Sequence, residues 1–248
     1  CPTFAAFDDM IEIARAKTIT VPLTKDQGYD LDGILKKVND KTKMVVITNP
    51  NNPTGQYLSY DAIESFIQKI DKHVVVLIDE AYIELATAPD CKTMIPLIKK
   101  YPDHSILVMR TFSKYYAMAG VRVGYLIAQK EYIDGINVIP GSTVARGAQA
   151  AALQALKEQE YYAGLKEKIV AGARYIEEEL RKLGCDVYTT QTNFILFDPH
   201  MNYEEVRDKL LDKGIHISIP MMDRVSVSTK ENNEYFIACM KEILEGSD

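Results

Sequence analysis

Lys114 and Arg122 lie in the stretch TFSKYYAMAGVRVGY, residues 111 to 125, where hydroxyl groups precede the lysine and glycines stand on either side of the arginine. A lysine amine can form a Schiff base with an aldehyde. An arginine close to hydroxyl donors is suited to a phosphate group. These two residue types suit a ligand that carries both an aldehyde and a phosphate, but the assignment depends on which other residues converge on this stretch.

Three short apolar runs stand out upstream of Lys114: MVVIT (44–48), VVVLI (74–78) and ILVM (106–109). Their continuous hydrophobicity predicts strands that are buried on both faces. Between the first two runs, SYDAIESFIQKI repeats apolar residues at helical spacing behind a capping serine. A helix that joins two buried strands is a crossover connection, so we expect a mostly parallel sheet flanked by helices.

The remainder of the chain predicts further elements of both types. ITVPL (19–23) and VRVGYLIA (121–128) are typical of strands, and on such a strand Arg122 and Gly124 would point to one face. After about residue 160, short strand-like runs such as DVYTT, NFILF, IHISI and RVSVS alternate with helical stretches. The predicted fold is α/β, with a large domain over residues 1–159 and a smaller α+β domain over residues 160–248.

Polar residues follow each of the three apolar runs directly, as NPNNPTG, DEAY and RTFSK. In an open parallel sheet, ligands bind outside the carboxyl ends of the strands. We therefore expect one crevice to be lined by Asn52, Asp79, Tyr82, Thr111, Ser113 and Lys114. Pyridoxal phosphate has three requirements that this set meets. It needs an amine for its aldehyde, a carboxylate for its protonated pyridine nitrogen, and hydroxyls with an arginine, here Arg122, for its phosphate.

At these residues the chain resembles the fold type I pyridoxal-phosphate aminotransferases, and among them the histidinol-phosphate aminotransferase-like group. The resemblance extends from CPTF to the C-terminus and is carried by PNNPTG, IDEAYIEL, RTFSKYYAMAGVRVGY, TNFIL and DRVSVST, in that order. It implies an enzyme, a homodimer, that transfers an amino group between an L-amino acid and a 2-oxo acid.

The resemblance also implies catalytic roles for Lys114, Asp79 and Tyr82. Lys114 would hold the cofactor aldehyde and later move a proton from the substrate's α-carbon. Asp79 would keep the ring nitrogen protonated, and Tyr82 would share the ring hydroxyl with Asn52. A cis peptide bond between Asn52 and Pro53 is implied as well.

Binding roles follow from the same resemblance. The phosphate would be held by Thr111, Ser113 and Arg122. Arg224, in DRVSVST, would take the substrate α-carboxylate through two hydrogen bonds, as a planar guanidinium can, with Asn52 beside it.

The sequence departs from the family pattern at two places. Ser218 lies near the position where histidinol-phosphate aminotransferases usually carry a second substrate-binding arginine, so an aromatic or other neutral amino acid is as plausible a substrate as a phosphorylated one. The chain opens on Cys-Pro, and we expect it to lack an upstream segment that supplies a phosphate-binding glycine loop and a stacking aromatic ring. Cofactor binding by the chain alone would then be impaired.

Three other functions fit parts of the same pattern. A decarboxylase of the threonine-phosphate decarboxylase type would share the architecture and would release carbon dioxide. A cofactor-sensing domain of the kind that is fused to transcription regulators would bind without turnover. A catalytically impaired fragment would show no spectral change with the cofactor.

Composition excludes several classes of partner. The formal net charge of -6 and the isoelectric point of about 5.4 argue against nucleic acid and anionic membrane surfaces. The four cysteines form no CxxC pair, and the four histidines have no metal-ligand spacing, so we expect a cytoplasmic protein without a metal site.

Overall fold

The structure is a computed structural model that describes residues 2–138, 143–217 and 223–246. Ser218, predicted to stand near the site of a second arginine, lies outside the described residues. Within the described ranges, no helix combines the length and apolar character that a membrane crossing requires.

The main sheet has four strands in the order β1-β2-β3-β4. The bounds are β1 (Met44–Thr48), β2 (Val75–Asp79), β3 (Ile106–Thr111) and β4 (Gly124–Ile127). The first three strands are parallel and β4 is antiparallel to β3. Because Thr48 pairs with Asp79 and Asp79 with Met109, the carboxyl ends of the parallel strands meet at one edge. The predicted mostly parallel sheet is confirmed.

The structure describes nine α-helices, some packed on the main sheet and others on a second, C-terminal sheet. Their bounds are α1 (Ala6–Ile13), α2 (Leu31–Lys37), α3 (Tyr60–Lys69), α4 (Ile95–Lys100), α5 (Lys130–Asn137), α6 (Arg146–Lys157), α7 (Gln159–Lys182), α8 (Tyr203–Asp212) and α9 (Lys230–Glu245). The crossover helix α3 begins where Ser59 accepts a hydrogen bond from the Ala62 amide, and it buries Ile63, Phe66 and Ile67. That apolar face packs on β1 and β2, which fixes the two strands side by side.

The second sheet has the order β5-β6-β7, with β5 (Asp186–Tyr188), β6 (Phe194–Asp198) and β7 (Asp223–Ser226) all antiparallel to their neighbours. It packs with α7, α8 and α9 around its own core, which includes Ile176, Ile195 and Phe197. Helix α7 begins at Gln159. The division into residues 1–159 and 160–248 stays a prediction.

Three local predictions were wrong. Residues 19–23 form no strand, because a β-prone run needs a partner for its backbone groups and Ile19 is exposed. The described part of IHISI, residues 215–217, is likewise not a strand. Arg122 precedes β4 in a left-handed conformation, φ 60° and ψ 53°, so it does not share a strand face with Gly124.

Candidate active site

Asp79 is the last residue of β2 and is 7% exposed. The Ala81 amide donates a hydrogen bond to its Oδ1 at 3.0 Å. Burial raises the pKa of the Asp79 carboxyl, while the Ala81 amide and the charge of Lys114 oppose that rise. Among the described residues, none donates a hydrogen bond to Oδ2, so this carboxylate can accept a cationic N–H donor.

Lys114 follows β3 in a turn and lies close to both Asp79 and Tyr82. Its Nζ stands 5.4 Å from the centre of the Tyr82 ring. The Tyr82 ring is 4% exposed and meets Phe194 of β6 edge-on, with ring centres 5.4 Å apart. The lysine is half-buried and faces the ring of Tyr82, which follows β2 and packs on Phe194 of β6.

Arg224 and Asn52 come together across 172 positions of sequence. Arg224 Nη1 donates to Asn52 Oδ1 at 2.6 Å, and the guanidinium lies 4.8 Å from the centre of the Phe194 ring. Burial lowers the pKa of Arg224, which nevertheless keeps its charge at any physiological pH. The Asn52–Pro53 bond is cis, as expected, and so is Asn49–Pro50.

Thr111 and Ser113 form one hydroxyl pair at the end of β3. The Thr111 hydroxyl lies 2.9 Å from Ser113 Oγ, and the Ser113 amide donates to Thr111 Oγ1 at 3.0 Å. Thr111 also reaches the Val123 carbonyl, so the backbone beside Arg122 is close. Within the described part of the chain, the exposed Arg122 guanidinium hydrogen-bonds the Ala119 carbonyl at 2.8 Å and does not contact the two hydroxyls.

The sequence did not predict an ion-pair cluster that lies next to the site. Arg110 of β3 donates through Nε to Glu80 at 2.8 Å and through Nη1 to Glu84 at 2.5 Å. Glu80 is fully buried and also accepts from the Thr93 hydroxyl and the Met94 amide. Glu80 and Arg110 adjoin predicted site residues in the motifs DEAY and RTFSK, and this position is the sequence signal that could have found them. Their ion pair links the ends of β2 and β3.

A second polar network was also missed. Tyr29 and Thr3 hydrogen-bond Asn51, the residue before Asn52. Asn51 stands inside a motif that the sequence singled out, whereas no sequence signal marks Tyr29, which lies in a loop.

Comparisons with known proteins agree with this geometry. Residues 1–239 match the family model described as aminotransferase class I and II. The chain belongs to this family, whose fold type I architecture its parallel sheet and strand-end residues share.

Three proteins that this chain is similar to are named histidinol-phosphate aminotransferase. A histidinol-phosphate aminotransferase of Brevibacillus brevis is 36% identical over 253 residues, which cover 99% of this chain and 68% of the relative. One of Bacillus velezensis is 38% identical over 251 residues, covering 98% and 69%. The crystal structure of histidinol-phosphate aminotransferase from Sinorhizobium meliloti in complex with pyridoxal-5'-phosphate matches with a TM-score of 0.90 and 25% identity, over 99% of this chain and 69% of that one.

Proposed function

We propose that this protein is a pyridoxal-phosphate-dependent aminotransferase that moves an amino group between an L-amino acid and a 2-oxo acid. The observation that carries the proposal is the meeting of Lys114, Asp79 and Tyr82 at the strand ends, with the Arg224–Asn52 pair beside them. The family supports transfer over decarboxylation, because the relatives that are 36% and 38% identical are aminotransferases.

The donors and acceptors of the site fit pyridoxal phosphate. Asp79 offers a buried carboxylate with Oδ2 open to a ring N–H, which is the partner that a protonated pyridine nitrogen needs. Asn52 uses its Oδ1 for Arg224, so its amide Nδ2 remains to donate to a ring hydroxyl beside Tyr82. The hydroxyls of Thr111 and Ser113, with the exposed guanidinium of Arg122, would hold the phosphate.

When bound, pyridoxal phosphate supplies an aldehyde that captures amines and a ring that accepts electron density. Lys114 would hold that aldehyde, be displaced by the substrate amine, and then accept the proton from the substrate's α-carbon. A base positioned in this way contributes about 10²- to 10⁴-fold in rate. Asp79 would hold the proton on the ring nitrogen throughout, and the hydrophobic wall of Tyr82 and Phe194 would limit water at the reacting carbon.

Arg224 would bind the anionic group of the substrate. Its Nη1 is engaged by Asn52, and the rest of the planar guanidinium remains for two parallel hydrogen bonds to a carboxylate or a phosphate. A guanidinium can bind either anion, so Arg224 alone does not select the substrate. The names of the relatives make histidinol phosphate the first amino donor to test, and neutral aromatic amino acids are the second group.

We further propose that the protein is a cytoplasmic homodimer and that each subunit has the two predicted domains, residues 1–159 and 160–248. Support for a subunit contact comes from exposed apolar side chains around α6 and the start of α7: Leu153 is 61% exposed, Leu156 49% and Tyr161 61%. Support for a reducing compartment comes from Cys91 and Cys239, two buried cysteines that form no disulfide within the described residues.

Lys114→Ala tests the proposal directly. Added pyridoxal phosphate should give a visible absorption band in the wild-type protein, and the variant should lack it because the amine is gone. Lys166→Ala is the control, since Lys166 is also half-buried but donates to the Ala86 carbonyl. A band that survives in Lys114→Ala, with circular dichroism unchanged, would remove Lys114 from its proposed role.

Turnover is tested with a panel of amino donors against 2-oxoglutarate. We expect formation of a 2-oxo acid or, from histidinol phosphate, the corresponding carbonyl product, with no release of carbon dioxide. Release of carbon dioxide in step with substrate loss would indicate the decarboxylase instead.

A further inference from the structure

Tyr29 connects the loop before α2 to the carboxyl end of β1. Its ring packs against the core of the main sheet, and its hydroxyl accepts a hydrogen bond from the Thr48 amide at 3.1 Å. The same hydroxyl donates to Asn51 Oδ1 at 2.9 Å. Thr3 joins the network, because its Oγ1 lies 3.0 Å from Asn51 Oδ1 and 3.1 Å from the Tyr29 hydroxyl.

Asn51 is the centre of the turn that carries Asn52. Its amide donates to the Gln56 carbonyl at 2.7 Å, and its carbonyl accepts from the Gly55 amide at 2.8 Å. Its side-chain Nδ2 donates to Thr54 Oγ1 at 3.0 Å. With 1% of its surface exposed, Asn51 has its amide, carbonyl and side chain all engaged, so the orientation of the turn depends on it.

The orientation of this turn determines where Asn52 directs its amide. Asn52 is the next residue in the chain, and its Oδ1 accepts from Arg224 at 2.6 Å. Burial raises the pKa of Tyr29, and the negative charge of Asp79 raises it further. The hydroxyl therefore keeps its proton and remains a donor to Asn51 throughout the physiological range.

We propose that Tyr29 is a positioning residue of this site: through Asn51, its hydroxyl fixes the direction in which Asn52 presents its amide to Arg224 and to the cofactor ring. The inference rests on the proposed role of Asn52. Tyr29 itself is not expected to touch substrate.

Tyr29→Phe removes the hydroxyl and keeps the ring. Hydrogen exchange of the Asn51 and Gly55 amides in the cofactor-free protein should become about fivefold faster, because the hydrogen bond that holds the Asn51 side chain is lost. Tyr101→Phe is the matched control, because the Tyr101 hydroxyl donates to Glu64 at 3.0 Å in the same domain and should leave these two amides unchanged. Unchanged exchange in Tyr29→Phe would overturn the proposal.

A double-mutant cycle tests whether the effect passes through Asn52. The dissociation constant of pyridoxal phosphate, read from the visible band, should rise about three- to tenfold in Tyr29→Phe. In an Asn52→Ala background the same change should have no further effect, because the side chain that Tyr29 positions is gone. Equal effects in both backgrounds would refute the route through Asn52.

These two arms separate failure of the inference from failure of the proposed function. If the wild-type protein gives no band even at saturating pyridoxal phosphate, the proposed function is in error. Exchange at Asn51 and Gly55 still decides whether Tyr29 holds the turn.

Discussion

Replacing Arg110 with methionine would leave Glu80 buried at the end of β2 without its cation. Glu80 is fully buried and has three donors, namely the Arg110 guanidinium, the Thr93 hydroxyl and the Met94 amide. The replacement fills similar volume, so the main change is the loss of a charge. Removing one partner of a buried pair costs about 3 to 5 kcal/mol. Because two neutral donors remain on Glu80, we expect the lower value, about 3 kcal/mol.

The pH dependence of this loss identifies its cause. Burial already raises the pKa of Glu80, and the charge of Arg110 holds that rise back. In Arg110→Met the pKa of the folded state should therefore be higher still. A carboxyl whose pKa is raised on folding contributes stability below its unfolded pKa and loses it as the pH rises through the folded pKa. The deficit of the variant should thus be larger at pH 8 than at pH 5.5.

Urea unfolding followed by circular dichroism at the two pH values measures both effects. Adding Glu80→Gln to Arg110→Met should recover more than half of the loss, because the uncompensated charge is removed. Lys72→Met is the control, since it breaks the exposed Lys72–Asp103 pair and should not change the midpoint. A deficit below about 1 kcal/mol, or one that is equal at both pH values, would refute the assignment of a buried ion pair.

Two further substitutions test the site and its support. Asp79→Asn should stabilise the cofactor-free protein by about 1 kcal/mol at pH 8, since burial raises the pKa of this carboxyl, while weakening cofactor binding. This gain should disappear as the pH falls and Asp79 takes up a proton, and thermal unfolding at pH 5 and 8 checks it. Gly55→Ala should cost about 3 kcal/mol, because φ is +70° and the new Cβ would stand 2.3 Å from Thr190 Oγ1. Gly184→Ala, with φ +86° and no atom within 4 Å, carries only the backbone strain, so a urea midpoint equal to that of Gly55→Ala would contradict the contact.

The parallel strands were predictable because each is a short run of apolar, mostly β-branched residues followed at once by polar ones. The run 44–48 coincides with β1, and Asp79 ends β2 as its position after VVVLI indicated. The run at 19–23 also contains β-branched residues but forms no strand, because pairing depends on a neighbour that composition does not reveal. Arg122 was misplaced for a related reason: a period-2 pattern does not show that the chain first makes a left-handed turn.

The sequence by itself determined which chemical groups follow which strands, because those groups are covalent neighbours of the strand residues. It also carried the family motifs in their order. Only the tertiary structure brought Arg224 to Asn52, which lie 172 positions apart, and placed the Tyr29 hydroxyl behind that pair. The pKa of Asp79 is likewise a property of the fold, since desolvation is caused by all the atoms that surround a carboxyl and not by its neighbours in the chain.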